Sequence, residues 1–169
     1  MPRKTNQEEA RATLQAVGRP PLAVLRALRS ELGLSDYAFS SVVGRSAQTV
    51  RRWRRSEVGV EVPEKAAKAI DDLRTIAAML LKAGFDGRTV KSFLLSRNTG
   101  LGQDRPLDGL AADVGAFRRV EHVAKCFAAG IAPEPGPPFP AGGGEEREPA
   151  ASRSQVAPDA PHQPMAARR

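Results

Sequence analysis

This chain of 169 residues has one cysteine, Cys126, and two histidines, His122 and His162. A single thiol cannot close an internal disulfide, and no Cys/His cluster offers the ligand spacing of a metal site. Aromatic residues make up 5% of the chain, with one tryptophan, Trp53, so a core has to be assembled mainly from aliphatic side chains. No apolar run approaches the roughly 18 residues a membrane helix needs. No alternation of apolar and polar residues is long enough to suggest a strand, and there is no internal repeat. The N-terminus is charged and lacks the apolar stretch of a secretory signal. A nucleophile needs a poised base, and no Ser/His/Asp, Cys/His or paired-carboxylate constellation stands out. These absences lead to the expectation of a cytoplasmic, non-enzymatic protein without metal, cofactor or membrane contact.

What the chain does have is positive charge. Its formal net charge is +7 and its pI is about 10.3, a balance that favours an acidic partner such as nucleic acid. The charge is uneven. Between positions 26 and 55 lie Arg26, Arg29, Arg45, Arg51, Arg52, Arg54 and Arg55, against only Glu31 and Asp36.

Helical punctuation organises the rest, and the chain reads as all-α. Thr5 stands three residues before Glu8, a capping-box spacing, and Ala10, Leu14 and Val17 share one face of the helix that follows. Gly18 and Pro20-Pro21 end it. Pro21 to Leu32 places Leu22, Leu25, Leu28 and Leu32 at helical spacing, with Gly33 as stop. Ser35 caps a short helix to Val43, where Tyr37, Ala38, Phe39, Val42 and Val43 supply apolar contacts. Gly44 ends that helix and Ser46 caps the next. Pro63 suits the start of a long helix to Lys82. Helical stretches over 87–96, 106–114 and 116–129 follow, with a turn-rich passage from Arg97 to Arg105. Asn98, Asp104 and Asp108 fit turn and cap chemistry, and His122 and Cys126 read as ordinary helix residues. The segment 131–169 holds nine of the fourteen prolines and a Gly142-Gly143-Gly144 run, and reads as a disordered tail. The domain reading is an N-terminal arm over 1–20, a DNA-binding unit over 21–62, a connecting helix over 63–84, a helical domain over 85–130 and the tail.

The stretch RSAQTVRRWRRS, residues 45–56, carries the chemistry. With Ser46 as N-cap and roughly 100° per residue, Ala47, Val50 and Trp53 fall on one side of a helix. Gln48, Arg52 and Arg55 fall opposite, flanked by Thr49, Arg51 and Ser56. Arg54 projects nearer the apolar side and is expected to snorkel out or to lie at a frayed end. A helix, a tight turn and a second helix with polar residues at its start is the helix-turn-helix arrangement. Gln48 has the donor and acceptor to pair with adenine, arginine has the fork to pair with guanine, and Thr49 suits a phosphate or a thymine methyl. The candidate DNA-binding residues are therefore Gln48, Thr49, Arg51, Arg52 and Arg55. Trp53 is assigned to the core rather than to a base stack. The plainer alternative is a solvated basic face, which most charge runs are.

The stretch GLSDYAFSSVVGRSAQTVRRW, within 25–62, resembles an Xre-type helix-turn-helix. Residues 93–130, FLLSRNTGLGQDRPLDGLAADVGAFRRVEHVAKCFAAG, resemble the C-terminal domain of the Xre/MbcA/ParS antitoxins. The residues that carry this likeness are Phe93 and Leu94, Asn98, Leu101, Pro106 with Leu107 and Leu110, and Val120, Val123 and Phe127 before Gly130. The family usually has tryptophan where this chain has Phe93, and its members often end soon after the last helix. The resemblance implies an antitoxin whose C-terminal part blocks a cognate toxin, often an NAD-consuming enzyme with a RES domain, and which autorepresses its operon by binding double-stranded operator DNA. Because one short recognition helix covers few base pairs, a homodimer is expected, with the second helix about 34 Å away. Ala66, Ala67, Ala69 and Ala77 would permit close approach of a second copy. The runner-up reading is a helix-turn-helix transcriptional regulator, phage or plasmid derived, without a toxin partner. A third is an all-α interaction module that binds no DNA.

Overall fold

The computed structural model describes residues 6–56, 60–112 and 114–139. Among these residues every regular element is helical: α1 (Asn6–Gln15), α2 (Pro21–Leu32), α3 (Asp36–Val43), α4 (Ala47–Arg55), α5 (Glu64–Lys82), α6 (Gly87–Leu95), a 3-10 turn (Thr99–Leu101), α7 (Pro106–Ala112) and α8 (Val114–Ala128). The only β-type pairing among them is an isolated bridge between Asn98 and Asp104. The all-α class read from the sequence is the observed class.

The helix ends follow from local chemistry. The Ser35 side chain accepts a hydrogen bond from the Ala38 amide at 3.1 Å, which satisfies one of the donors a helix start leaves orphaned. Gly33 and Gly44 take the left-handed conformation (φ +63° and +61°) that closes α2 and α3, a conformation glycine adopts without a Cβ penalty. Asp86 caps α6 by accepting from the Thr89 amide at 2.7 Å. The Asn98 side chain accepts from the Gly100 amide at 2.9 Å, and Asp108 pairs with Arg105 three residues earlier. Asn98 therefore does the turn work expected of it, whereas the Asp108 carboxylate is engaged by a side chain rather than by a backbone amide.

Helix α5 is the hub and packs against α1, α2, α3, α6, α7 and α8. Ile70, Leu73, Ile76, Ala77 and Leu80 are fully or almost fully buried along it. A single apolar core runs from Ala10 on α1 to Ala124 on α8, so the basic helices and the C-terminal helices share one interior. Ala66, Ala69 and Ala77 belong to that interior and are not available to a second copy. Phe93, Leu94, Leu101, Leu107, Leu110, Val120 and Val123 are likewise buried, and Phe127 stacks obliquely on Phe93 and Phe85, with ring centroids 4.9 and 5.0 Å away. The residues that carry the resemblance over 93–130 thus mostly build the core.

Two buried charges tie α1 in place. Arg74 of α5 donates to the Leu14 carbonyl at 3.1 Å, near the C-terminal end of α1, and to Asp71 at 2.6 Å. Glu31 of α2 accepts from Arg11 at 2.6 Å. Neither interaction has a local sequence signal, because the partners lie 60 and 20 positions apart.

The structure departs from the sequence expectations in further respects. Val17 is 86% exposed, because α1 stops at Gln15 and the chain turns through Gly18 at φ +74°. The Thr5 half of the expected capping box lies outside the described residues. Tyr37 is 76% exposed, since the first turn of α3 lifts its ring off the face that holds Ala38, Phe39, Val42 and Val43. Finally, the tail does not begin at Ile131. Residues 131–139 run without helix, strand, turn or bend across the 3-10 turn, α7 and α8. Along that path the Gly136 amide donates to the Thr99 carbonyl at 3.1 Å, the Phe139 amide donates to Asp104 Oδ2 at 2.6 Å, and Arg119 donates to the Pro137 carbonyl at 2.7 Å. A composition rule cannot see those acceptors and donors, which lie far back in the chain. Residues 140–169 of the expected tail lie outside the described residues.

Candidate nucleic-acid interface

Helix α4 sits at the edge of the bundle, packed on α3 and α2. The link from α3 is three residues long. Gly44 turns the chain, the Arg45 amide donates to the Ser40 carbonyl at 3.3 Å, and Ser46 Oγ accepts from the Thr49 amide at 3.2 Å. That short link fixes the angle between the two helices. Val50 is fully buried and Trp53 is 3% exposed, so they seat α4 as its spacing predicts. At the far end Arg26 of α2 donates to the Arg54 carbonyl at 3.2 Å and to the Ser56 carbonyl. A guanidinium there satisfies end-of-helix carbonyls and complements the helix dipole.

With α4 held at both ends, its outer face is defined. Gln48, Arg51, Arg52 and Arg55 are exposed and Thr49 is half-buried. These five residues, together with Ser56, line one shallow concavity of about 780 Å³. The structure therefore brings all five predicted residues to a common surface. It also distinguishes among them. Thr49 Oγ1 lies 2.9 Å from Ser46 Oγ, so its hydroxyl is already shared with the cap.

The arginines are not equivalent either, and Asp36 is the reason. This carboxylate, 10% exposed, meets Arg29 at 2.8 Å, Arg54 at 3.3 Å and Arg51 at 3.4 Å. It joins α2, α3 and α4 through one side chain. Burial pushes its pKa up, but the Arg54 hydrogen bond, the charges of Arg29 and Arg54 and the Arg51 hydrogen bond outweigh that and hold it below the ordinary carboxylate value. Arg54 is turned inward to this hub rather than snorkelling out or fraying as its sequence position leads one to expect, because Asp36 of α3 offers its guanidinium a nearly buried partner. Arg51 is half-committed to it, with its side chain 56% exposed. Among the described residues Arg52 and Arg55 have no acidic partner.

No protein-family model matches this sequence, and no curated protein matches it. What the surface does must therefore be argued from its chemistry. Guanidiniums, a hydroxyl and a carboxamide on an edge helix, with Asp36 as the carboxylate ion-paired to two of its arginines, suit a polyanion with hydrogen-bonding edges. No helix among the described residues is long and apolar enough to cross a membrane. No group of three or more His, Cys, Asp or Glu among them is placed to hold a metal ion. Cys126 and His122 lie one helical turn apart, with Sγ and Nε2 3.7 Å from each other.

Sequence reasoning missed Asp36, Arg29 and Arg26. Their role is tertiary: Asp36 reaches partners 7, 15 and 18 positions away, and only the packing of α2 against α3 and α4 brings them together.

The lowered pKa of Asp36 predicts a pH dependence. A carboxyl whose folded pKa lies below its unfolded value of about 3.9 contributes stability above that value and loses it as pH falls through the folded pKa. Asp36→Asn should therefore cost roughly 1 kcal/mol at pH 7, the scale of a partly exposed ion-pair network. The deficit should shrink as the native carboxyl is protonated. Urea midpoints of both proteins from pH 7 to pH 2 test this, and parallel curves with a constant gap would remove the ion-pair explanation.

Proposed function

We propose that this protein is a sequence-reading repressor of double-stranded operator DNA and the antitoxin of a toxin–antitoxin pair. The observation that carries the DNA half is the shared outer surface of Gln48, Thr49, Arg51, Arg52 and Arg55 on an edge helix that follows a three-residue turn. In this reading α4 enters the major groove. Gln48, in the first turn, pairs with adenine, while Arg52 and Arg55 meet phosphate or guanine and Arg51 is shared with Asp36. A second copy supplies the other half-site about 34 Å away. The protein works in the cytoplasm, where operator DNA is, and performs no chemistry of its own.

The toxin half is supported by the resemblance over 93–130 alone. In this reading the helices from α6 to α8 present the surface that binds and neutralises a cognate toxin, of the NAD-consuming RES type. A DNA-binding regulator without a toxin is the alternative, and it shares every expectation for α4. Co-purification with the product of the adjacent reading frame separates the two readings. No complex with that product would leave the regulator.

Base readout has its own test. Gln48→Ala should cost about 1–3 kcal/mol of discrimination against the wrong base pair and leave affinity for random duplex nearly unchanged. The measurement is a competition gel-shift on the chain's own upstream DNA against random duplex. Equal losses on both would reduce Gln48 to a backbone contact.

A further inference from the structure

We propose that the face built by the Thr99–Leu101 turn, α7 and α8 is a binding groove for an extended proline-spaced segment ending in an aromatic ring, and that residues 133–139 are its occupant within this chain. The groove is closed to partners while that segment is seated and open when it lifts. The inference stands on contacts far from α4 and does not depend on DNA binding.

The occupant is suited to such a site. Residues 133–139 read PEPGPPF, with Pro133, Pro135, Pro137 and Pro138. Proline fixes φ near −65° in advance, so little conformational freedom is lost on docking, which is why proline-rich segments recur as groove ligands.

The groove floor is cut down to backbone to receive it. Gly102, at φ +65°, has the backbone of Pro137 and Pro138 where a Cβ would be. Gly109 lies inside α7, where glycine costs roughly 0.5–1 kcal/mol relative to alanine. A Cβ there would run into the Phe139 ring and also into Val120. Gly100 leaves room for Pro133 as well as for Val123. The segment answers with a glycine of its own, since a Cβ on Gly136 would meet the Gly100 carbonyl.

Polar groups then fix the register. Gly136 and Phe139 donate from their amides to the Thr99 carbonyl and to Asp104. Arg119 of α8 donates to the Pro137 carbonyl and lies 4.5 Å from the centroid of the Phe139 ring, within reach of a cation–π contact. Arg119 thus reads both the backbone and the ring.

The occupant is separable from the fold. The buried core ends at Ala124, and Phe139 only packs on it from outside. The tether is short: Gly130 turns at φ +68° and Ile131 is 61% exposed. A short tether gives an effective concentration on the order of millimolar, so a free competitor is held off until the segment is released.

The test uses the full chain and a fluorescein-labelled peptide with the sequence IAPEPGPPF. Gly136→Val with Phe139→Ala alters only the segment and should release it. The released chain is expected to bind the peptide at least about tenfold more tightly than the native chain, as removal of a tethered competitor requires. Adding Arg119→Ala should weaken that binding again by about tenfold. Equal binding to native and released chains, or no binding to either, overturns the proposal. So does indifference to Arg119→Ala. Hydrogen exchange on the unaltered chain gives a second reading that needs no variant. The Gly136 and Phe139 amides should be protected, and exchange at the rate of an unstructured peptide would overturn the proposal by itself.

Discussion

Replacing Arg52 and Arg55 together by alanine is expected to lower affinity for the chain's own upstream DNA on the order of a hundredfold, at about tenfold for each charge-assisted hydrogen bond removed. Both side chains are exposed on the outer face of α4, and neither has an acidic partner among the described residues. Removing them therefore takes away the donors proposed to meet DNA without opening a buried site. Each arginine on a phosphate releases counterions, so taking two away should reduce the slope of log affinity against log salt by about two. The phosphate share of the effect should fall equally on specific and random duplex, because a phosphate carries no sequence, while a guanine contact adds a loss confined to the specific site. Urea stability should change by less than about 0.5 kcal/mol, as for other surface substitutions. Arg54→Ala is the control. Its guanidinium is turned to Asp36 at 3.3 Å, so it should cost stability and leave the salt slope in place. A double variant with unaltered affinity and slope would end the DNA reading and leave α4 as a solvated basic face.

The contrast between Arg54 and its neighbours shows which parts of this protein are legible from sequence. Local chemistry is. The bounds of α2 follow from Pro21 and Gly33, the start of α4 from Ser46, and the inward face of α4 from the spacing of Val50 and Trp53, because each depends on residues within one or two turns. The shared outer face of Gln48, Thr49, Arg51, Arg52 and Arg55 follows for the same reason. What was not legible depends on residues brought from elsewhere. Nothing near Asp36 says that three guanidiniums converge on it. Gly18 and Pro20 mark the end of α1 only to within a turn, so the exposure of Val17 was not legible, and Tyr37 is apolar enough to suggest burial although its ring stands in solvent. The start of the tail is the plainest case. Its composition argues for disorder, yet the glycine floor at positions 100, 102 and 109 and the side chains of Asp104 and Arg119 give residues 131–139 a place to lie. Composition describes what a segment can do alone, and here the deciding groups belong to α7, α8 and the turn between α6 and α7.

Trp53→Ala is expected to be the most destabilising single change at the interface, at about 3–5 kcal/mol for a large aromatic removed from a core. That is a large share of the roughly 5–15 kcal/mol by which domains of this kind are stable. The ring is 3% exposed, and α4 packs mainly on α3 and α2, so Trp53 and Val50 provide most of the apolar contact that seats it. If α4 binds DNA as proposed, affinity should fall with the loss of structure, because the buried indole is then a support for the helix and not a contact. The opposite assignment, a tryptophan that stacks on a base, makes different predictions. It requires Trp53→Ala to leave the urea midpoint nearly unaltered, and it requires DNA to quench the native fluorescence strongly. Because Trp53 is the only tryptophan, both measurements read one residue. Fluorescence that is blue-shifted in the free protein, little changed by DNA and red-shifted on unfolding in step with helix loss would place the ring in the core. Trp53→Phe then completes the argument: a ring that only fills space should recover most of the stability and nearly all of the DNA affinity, whereas a base-stacking indole should not be replaced so readily.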